Sequence, residues 1–508
     1  MRVAVTALLL AVAVGVVATE DDDFFADPFA VSGETGDEAA DGGRANDWES
    51  LFGDPDMIDD VDEDSMADAP QDDLLRREGV RWGGRIGGSL VADWNWDTVW
   101  TSDFDPREPT SDSFSPRLDA GLFFDARPDA RFRVFGRFGF ALTTDGQIDL
   151  AGLDLDDLLG GIPGFEDVDI DDLLQPADDP TGTAPGLELA IRELFVDYAW
   201  QDRLFFRYGK HTIRWGTGYF FSPADVLNLT AVDAEDPTAD REGPLSLRTV
   251  YPFGVGNTAY LYLITNSGAG IADVAVAPRI EFASGSGEYS IAVYYQRSLA
   301  PRLIGLASMS VRDVDLFAEG VLLWGSDRVF VRRVTDQPAA LETYRVDDRL
   351  FALATAGARY MKSFENDLSL LIAAQYFHNG EGYARDEGLL TAASALLFAP
   401  TTDPALSFAD LSNFGRHYAA ATASLSNLLI DRLSLTAFAL VNLTDLSGIA
   451  SPTISYRFFD RFSLSLSSRF TFGPEDGEFT NPAALFTGGP AKPTFGLSLS
   501  LGLPGGSF

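Results

Sequence analysis

The residues of this chain that could do chemistry are charges spaced two apart and one dense loop, not a nucleophile with its base. Arg131, Arg133 and Arg137 recur at even intervals, Asp119 and Asp125 do so on the preceding segment, and Arg207 stands further along. Residues two apart on a strand share a face, so these positions form rows of fixed charge. Across water, opposed rows create a transverse field that orders water and favours polar solutes over greasy ones. Paired across neighbouring strands, they neutralise one another and keep an interior wet. The densest motif runs Arg207-Tyr-Gly-Lys-His-Thr-Ile-Arg-Trp-Gly-Thr-Gly-Tyr-Phe-Phe-Ser-Pro-Ala-Asp-Val-Leu-Asn228. Lys210, His211 and Arg214 crowd basic groups at a strand's end, Trp215 follows, Gly216 and Gly218 permit tight or left-handed turns, and Asp225 lies near the close. Folded into a pore, such a loop narrows it and presents charge to a passing solute.

Other chemistries find little support. His211, His378 and His417 are the only histidines, none in a nucleophile or metal motif, and there is no cysteine. The sequence therefore predicts neither an enzyme nor a cofactor. The segment 145–185 spaces carboxylates as calcium requires, in Asp154-Leu-Asp156-Asp157 and Asp167-Val-Asp169-Ile-Asp171-Asp172. The EF-hand pattern fails there, because Asp172 occupies the sixth position, where glycine is needed, and no glutamate closes the loop. A solvated acidic outer loop is the better expectation, with no metal.

The elements that must hold the charged rows are β-strands. The last segment, Phe495-Gly-Leu-Ser-Leu-Ser-Leu-Gly-Leu503, is apolar at every odd position and Gly or Ser at every even one. Trp82, Ile86, Leu90 and Trp94 likewise oppose Arg85, Ser89 and Asp93; Leu118, Leu122 and Phe124 oppose Asp119 and Asp125; Phe132, Val134, Phe138 and Phe140 oppose the three arginines. Similar segments are Leu316–Trp324, Leu350–Tyr360, Leu368–Tyr376, Leu433–Leu443 and Phe462–Phe472. Thr258–Thr265 and Tyr418–Leu428 are apolar or small on both faces. Greasy faces need either a packed layer or lipid, and lipid covers the outside of a transmembrane barrel.

Connections alternate. Short links at 127–131, 200–203, 253–257, 284–288, 362–367 and 459–461 are separated mostly by long ones at 98–115, 145–185, 215–243, 325–347, 378–415 and 474–493. Tight turns at one end and large loops at the other are the habit of outer-membrane barrels. The fold class is therefore all-β, a transmembrane antiparallel up-and-down β-barrel of about 18 strands, with 16 as the fallback. An even count puts both chain ends on the periplasmic side. Trp94, Trp96, Trp100, Tyr198, Trp200, Trp324, Tyr360 and Tyr376 near strand ends suit interfacial aromatic girdles.

The domain reading is a signal peptide over 1–18, an acidic disordered periplasmic tail over 19–75, and the barrel over 76–508, with 215–243 as the candidate constriction loop. The formal net charge of −40 is unevenly placed: Glu20–Asp73 holds 21 acidic residues against one arginine, and 145–185 holds 12 and no base. Phosphate binding needs basic clusters, so nucleic acid is excluded as a partner. The expected partners are outer-membrane lipid and small polar solutes. An envelope protein docked on the tail is an additional possibility, raised by the echo of Phe25-Ala-Asp-Pro28 in Phe52-Gly-Asp-Pro55. Monomer and trimer are both open.

Gly209, Lys210, Trp215, Gly216, Pro223, Asp225, Leu227 and Asn228 together resemble a segment of bacterial outer-membrane porin-like barrels, closest in character to the alginate-export-like and phosphate-selective-porin-like families. The resemblance covers about twenty residues of 508 and implies a channel for small hydrophilic or anionic solutes. The acidic tail and loop depart from it, as does a final strand interrupted by Pro504-Gly-Gly506. The expectation is an outer-membrane porin-like channel passing such solutes by diffusion. Arg131, Arg133, Arg137, Asp119, Asp125 and Arg207 would line its pore; Lys210, His211, Arg214, Trp215 and Asp225 would lie on its constriction loop. The alternatives are a structural or adhesive barrel acting through its tail or outer loops, and a barrel transporter for hydrophobic compounds.

Overall fold

A computed structural model describes residues 79–507, apart from 97–104, 130, 144–185, 202, 240, 266–269, 271–272, 298, 335–336, 365–367, 386–387, 399–403, 429, 431, 459–461, 475 and 481–494. The expected signal, acidic tail, acidic loop and Trp100 lie outside the described residues. The chain forms strands β1 (Gly79–Trp96), β2 (Ser111–Asp129), β3 (Phe132–Thr143), β4 (Gly186–Trp200), β5 (Leu204–Lys210), β6 (Leu245–Pro252), β7 (Asn257–Ile264), β8 (Ala275–Ser284), β9 (Gly287–Tyr294), β10 (Arg302–Val311) and β11 (Val314–Trp324). A separate hairpin follows, β12 (Phe330–Val334) and β13 (Gln337–Tyr344), then β14 (Leu350–Ser363) and β15 (Ser369–Asn379). Two short helices, α1 (Leu389–Ser394) and α2 (Phe408–Leu411), precede β16 (His417–Ser426), β17 (Leu433–Asn442), β18 (Ser447–Phe458), β19 (Phe462–Phe472) and β20 (Phe495–Ser507).

Eighteen of these strands make one antiparallel sheet in which each pairs with its neighbour in sequence, β11 skipping the hairpin to reach β14. The sheet closes where β1 pairs with β20. Closure leaves no edge and satisfies every ladder group from within, the condition for strands in hydrocarbon. The final strand runs further than its Pro504 suggested. A bulge in β20, where Pro504 and Gly505 lie opposite Gly87 of β1, absorbs the proline, and pairing resumes at Gly506, since an irregularity is where a residue without an N–H can sit.

The apolar face points outward on strand after strand. Trp82, Ile86, Leu118, Ile280, Ile291, Leu322 and Ile454 are exposed, while Asp125, Glu193, Asp197, Glu319 and Gln375 are buried within. Scattered surface leucines are ordinary, but an apolar belt around a whole barrel matches a lipid-facing wall. Tyr198 and Trp200 are exposed towards the short-turn end, and Trp324 and Tyr376 towards the long-loop end, so two aromatic girdles bracket the belt. Trp96 does not join them, being buried at 6% exposure.

Two of the long connections are themselves folded. The hairpin β12–β13 occupies the 325–347 connection, α1 and α2 the 378–415 one, and they share a small core of Val329, Val331, Leu389, Leu390, Leu411 and Phe414. Arg328 ties this cap together by donating to the carbonyls of Asp410 and Ser412 at 2.7 and 2.8 Å, at the end of α2 where carbonyls lack helical partners.

Replacing Ile291, 57% exposed on the outer face of β9, with Arg should cost about 2–4 kcal/mol if it lies near the bilayer midplane. Urea unfolding in liposomes reads this; the inward Ser290→Ala should cost far less. Equal costs at the two positions would contradict the assigned faces.

Candidate functional site

The connection between β5 and β6, residues 211–244, reaches strands far around the barrel. Arg279 of β8 donates to the carbonyl of Trp215 at 3.1 Å. Glu319 of β11 accepts from the backbone of Thr217, Gly218 and Ala224 at 2.5, 2.6 and 3.0 Å and from the Ser222 hydroxyl at 3.0 Å. Gln375 of β15 accepts from the amides of Tyr219, Phe220 and Phe221 at 3.0, 2.7 and 3.3 Å, and donates to the Phe221 carbonyl at 2.5 Å. Arg469 of β19 pairs with Glu235 at 2.9 Å. These wall groups all point inward, so the loop runs through the lumen.

Apolar contacts follow the same path. Ile213, Trp215, Ala224 and Leu227 pack against inward residues of β7 to β11, including Tyr262, Ala277, Ile304, Val321 and Leu323. Phe220 and Phe221 pack on Phe377, Tyr418, Ala420 and Leu440 of β15 to β17. The inner wall over these strands is largely apolar because the loop covers it. That is also why Thr258–Thr265 and Tyr418–Leu428 lack alternation. Gly216 and Gly218 serve space rather than left-handed backbone; a Cβ on Gly216 would lie 2.7 Å from Glu319 Oε1.

The charged half of the wall lies on β1 to β6. Asp125, 3% exposed, accepts from Arg81, Arg127 and Arg133 at 3.1, 3.1 and 2.9 Å. Arg207 forks onto Asp197 at 2.7 and 3.0 Å, with its guanidinium carbon 3.8 Å from the centre of the Phe195 ring. Arg137 faces Glu193 at 3.6 Å, and Glu193 also accepts from the Thr212 amide that starts the loop. Charges this deep persist only when paired. Ion pairing across neighbouring strands thus describes Arg133, Arg137, Asp125 and Arg207 better than an open transverse field, with three arginines sharing Asp125. Arg131 is not on the wall: it occupies the turn before β3, exposed, its amide donating to Asp129. Asp119 is half-buried on the inner face of β2.

The loop residues divide similarly. Arg214 is exposed, and Lys210 pairs with Glu242 at 2.5 Å. His211 does not present charge to a solute. It is fully buried, edge-on to Phe195, and burial followed by the nearby Arg207 and Arg248 guanidiniums holds its imidazole well below the usual range, hence neutral. Trp215 is buried against Tyr262 with its rings at 5.0 Å. Asp225 faces inward to the loop, bound by Asn228 at 2.8 Å and Arg241 at 2.6 Å. Burial raises its carboxyl above the usual range despite those partners. Both residues brace the loop. Glu193, Asp197, Glu319 and Gln375 were not singled out from sequence. Glu319 had left a signal, as the lone carboxylate inside the otherwise apolar Leu316–Trp324.

No protein-family model and no curated protein matches the chain. Among solved structures, OccAB1 of Acinetobacter baumannii is 11% identical with a TM-score of 0.42, covering 83% of this chain and 96% of that one. OmpF of Salmonella typhi, in complex with daunomycin, is 10% identical at 0.37, covering 84% and 97%. A BenF-like porin from Pseudomonas fluorescens Pf-5 is 9% identical at 0.41, covering 83% and 98%. At that distance none of them transfers a solute or a mechanism.

Replacing Glu319 by Ala strands several buried donors, each costing ~1–3 kcal/mol when unsatisfied. The loop should detach and become open to trypsin at Arg214 and Arg241 while the barrel stays folded. Glu319→Gln, which keeps an acceptor, should be cut more slowly than Glu319→Ala. Cleavage at the wild-type rate in Glu319→Ala would remove Glu319 from its anchoring role.

Proposed function

We propose that the protein is a porin-like channel of a bacterial outer membrane, passing small hydrophilic or anionic solutes by diffusion past a constriction formed by residues 211–244. The single observation that carries this reading is a closed barrel with an apolar outer belt and a loop tied across its lumen by inward side chains. A barrel that served only as an anchor would need no such internal tether. The path runs beside β1 to β4, where Arg85, Arg117 and Arg192 project from the inner face; the Arg85 side chain lies over Gly121 and that of Arg192 over Gly139. Arg133, Arg137 and Arg207 then act as the ion-paired frame behind the path, and Arg214 is exposed on the loop itself. In this orientation the short turns and both chain ends face the periplasm.

A second reading, a silent structural barrel, is favoured by the folded cap built from β12–β13, α1 and α2. Conductance separates the two. Purified protein in planar bilayers should give stable single-channel currents, and none at any voltage would leave the silent barrel. Lys210→Ala with Arg214→Ala should shift the reversal potential in a salt gradient towards cations. An unchanged reversal potential would place the loop outside the ion path.

A further inference from the structure

Beneath the loop, towards the short turns, the lumen holds a cavity of about 340 Å³ lined by Tyr219, Glu288, Ser308, Asp315, Phe317 and Arg359 among others. Its volume is that of a small-ligand site. Phe317 is its unusual member. The inward apolar side chains further up the same two strands, Ile304, Leu306, Val321 and Leu323, are buried beneath the loop. Phe317 lies past the loop's edge and is only half-buried. Its ring rests across Gly357 of β14, where any Cβ would collide with the ring carbons. The wall therefore seats the ring and leaves it at the cavity.

Polar groups surround this surface. Asp315 accepts from the Ser310 hydroxyl at 2.6 Å and from Arg359 at 3.1 Å, which leaves further donors of the half-exposed guanidinium for a solute. Thr217 lines the cavity on the loop side, with its hydroxyl turned away and buried. Tyr219 forms the upper edge, and its backbone is fixed by Gln375. Glu288 and Asp315 against Arg359 leave the lining one charge negative, which disfavours an anion, while Arg359 disfavours a bare ammonium.

A flat apolar ring bordered by hydroxyls, a carboxylate and a guanidinium suits a molecule with a C–H face and a rim of hydroxyls. We propose that this cavity binds a neutral sugar of one or two rings, stacked on Phe317 and hydrogen-bonded to Arg359 and Asp315. The proposal rests on the channel reading and narrows its solute class.

The test uses the full protein in planar bilayers with sucrose added on the short-turn side. Wild-type ion current should show saturable, transient block. Phe317→Leu, which keeps apolar bulk without a flat face, should raise the half-blocking concentration about ten-fold, and Phe317→Trp should leave it near wild type. Leu322→Ala on the lipid face should change nothing. A steady ion current indifferent to sucrose would overturn the sugar site while leaving the channel intact. Block of Phe317→Leu at the wild-type concentration, or stronger block by citrate or spermidine than by sucrose, would also overturn it. Absence of any ion current is the separate failure of the channel reading itself.

Discussion

Everything in this molecule depends on the closure of β1 onto β20. Hydrocarbon offers nothing to an unpaired N–H or C=O, so an open sheet with this apolar outer face would have two unsatisfied edges. The register Asn95–Gly496 through Gly88–Leu503 supplies the last ladder, and the bulge opposite Gly87 lets it continue past Pro504. Once closed, the wall is a frame that needs nothing from its lumen for its backbone. The interior is then free to be specified by something other than strand pairing.

That something is the backbone of the 211–244 loop, which faces the same problem in miniature. An irregular segment buried against an apolar wall has amides with no ladder to join. Two side chains solve this: Glu319 collects the donors of residues 217, 218, 222 and 224, and Gln375 those of 219 to 221. Neither would be tolerated as a bare buried polar group on this wall, and the loop's amides would not be tolerated without them. Wall and loop are therefore one design. The apolar inner faces of β7 to β11 and β15 to β17 make sense only with the loop in place, and the loop holds its course only because those two anchors interrupt the apolar surface.

The outer face was legible because it obeys a single rule. Each apolar odd or even set, as in Trp82–Ile86–Leu90 or Leu118–Leu122, faces lipid whatever its neighbours do, so alternation alone located most strands and their turns. The inner face obeys a contact rule instead, and contacts between residues 100 or 150 positions apart leave no local pattern. Arg133 and Arg207 were visible as inward charges, yet Asp197, which pairs with both, lies in Leu187–Trp200, where the extra residue Arg192 breaks strict alternation. His211 read as a cation because sequence cannot reveal that the loop seals it against Phe195 and two arginines. Glu319 and Gln375 were hidden for the opposite reason: a lone polar residue among apolar ones looks like an ordinary lumen position until its partner loop is known. The hairpin β12–β13 and the helices of the cap were missed because short elements inside long connections carry too few residues for a period to emerge.

The two kinds of interior wall also decide where charge can act. Asp197 and Glu193 offset Arg207 and Arg137 one for one, whereas Arg81, Arg127 and Arg133 share the single carboxylate of Asp125, so that cluster keeps positive charge. These ion pairs also give rigidity along β2 to β5, the strands that hold the root of the loop. Exposed side chains add to the charge, among them Arg85 and Arg117 on this wall and Arg214 on the loop. Towards the short turns the balance changes sign, since Glu288 and Asp315 outnumber Arg359 around Phe317. A solute crossing the proposed channel would thus meet cations near the loop and a slightly negative, partly aromatic chamber beyond it. An anion gains at the first and loses at the second, a cation the reverse, and a neutral polyol is opposed at neither.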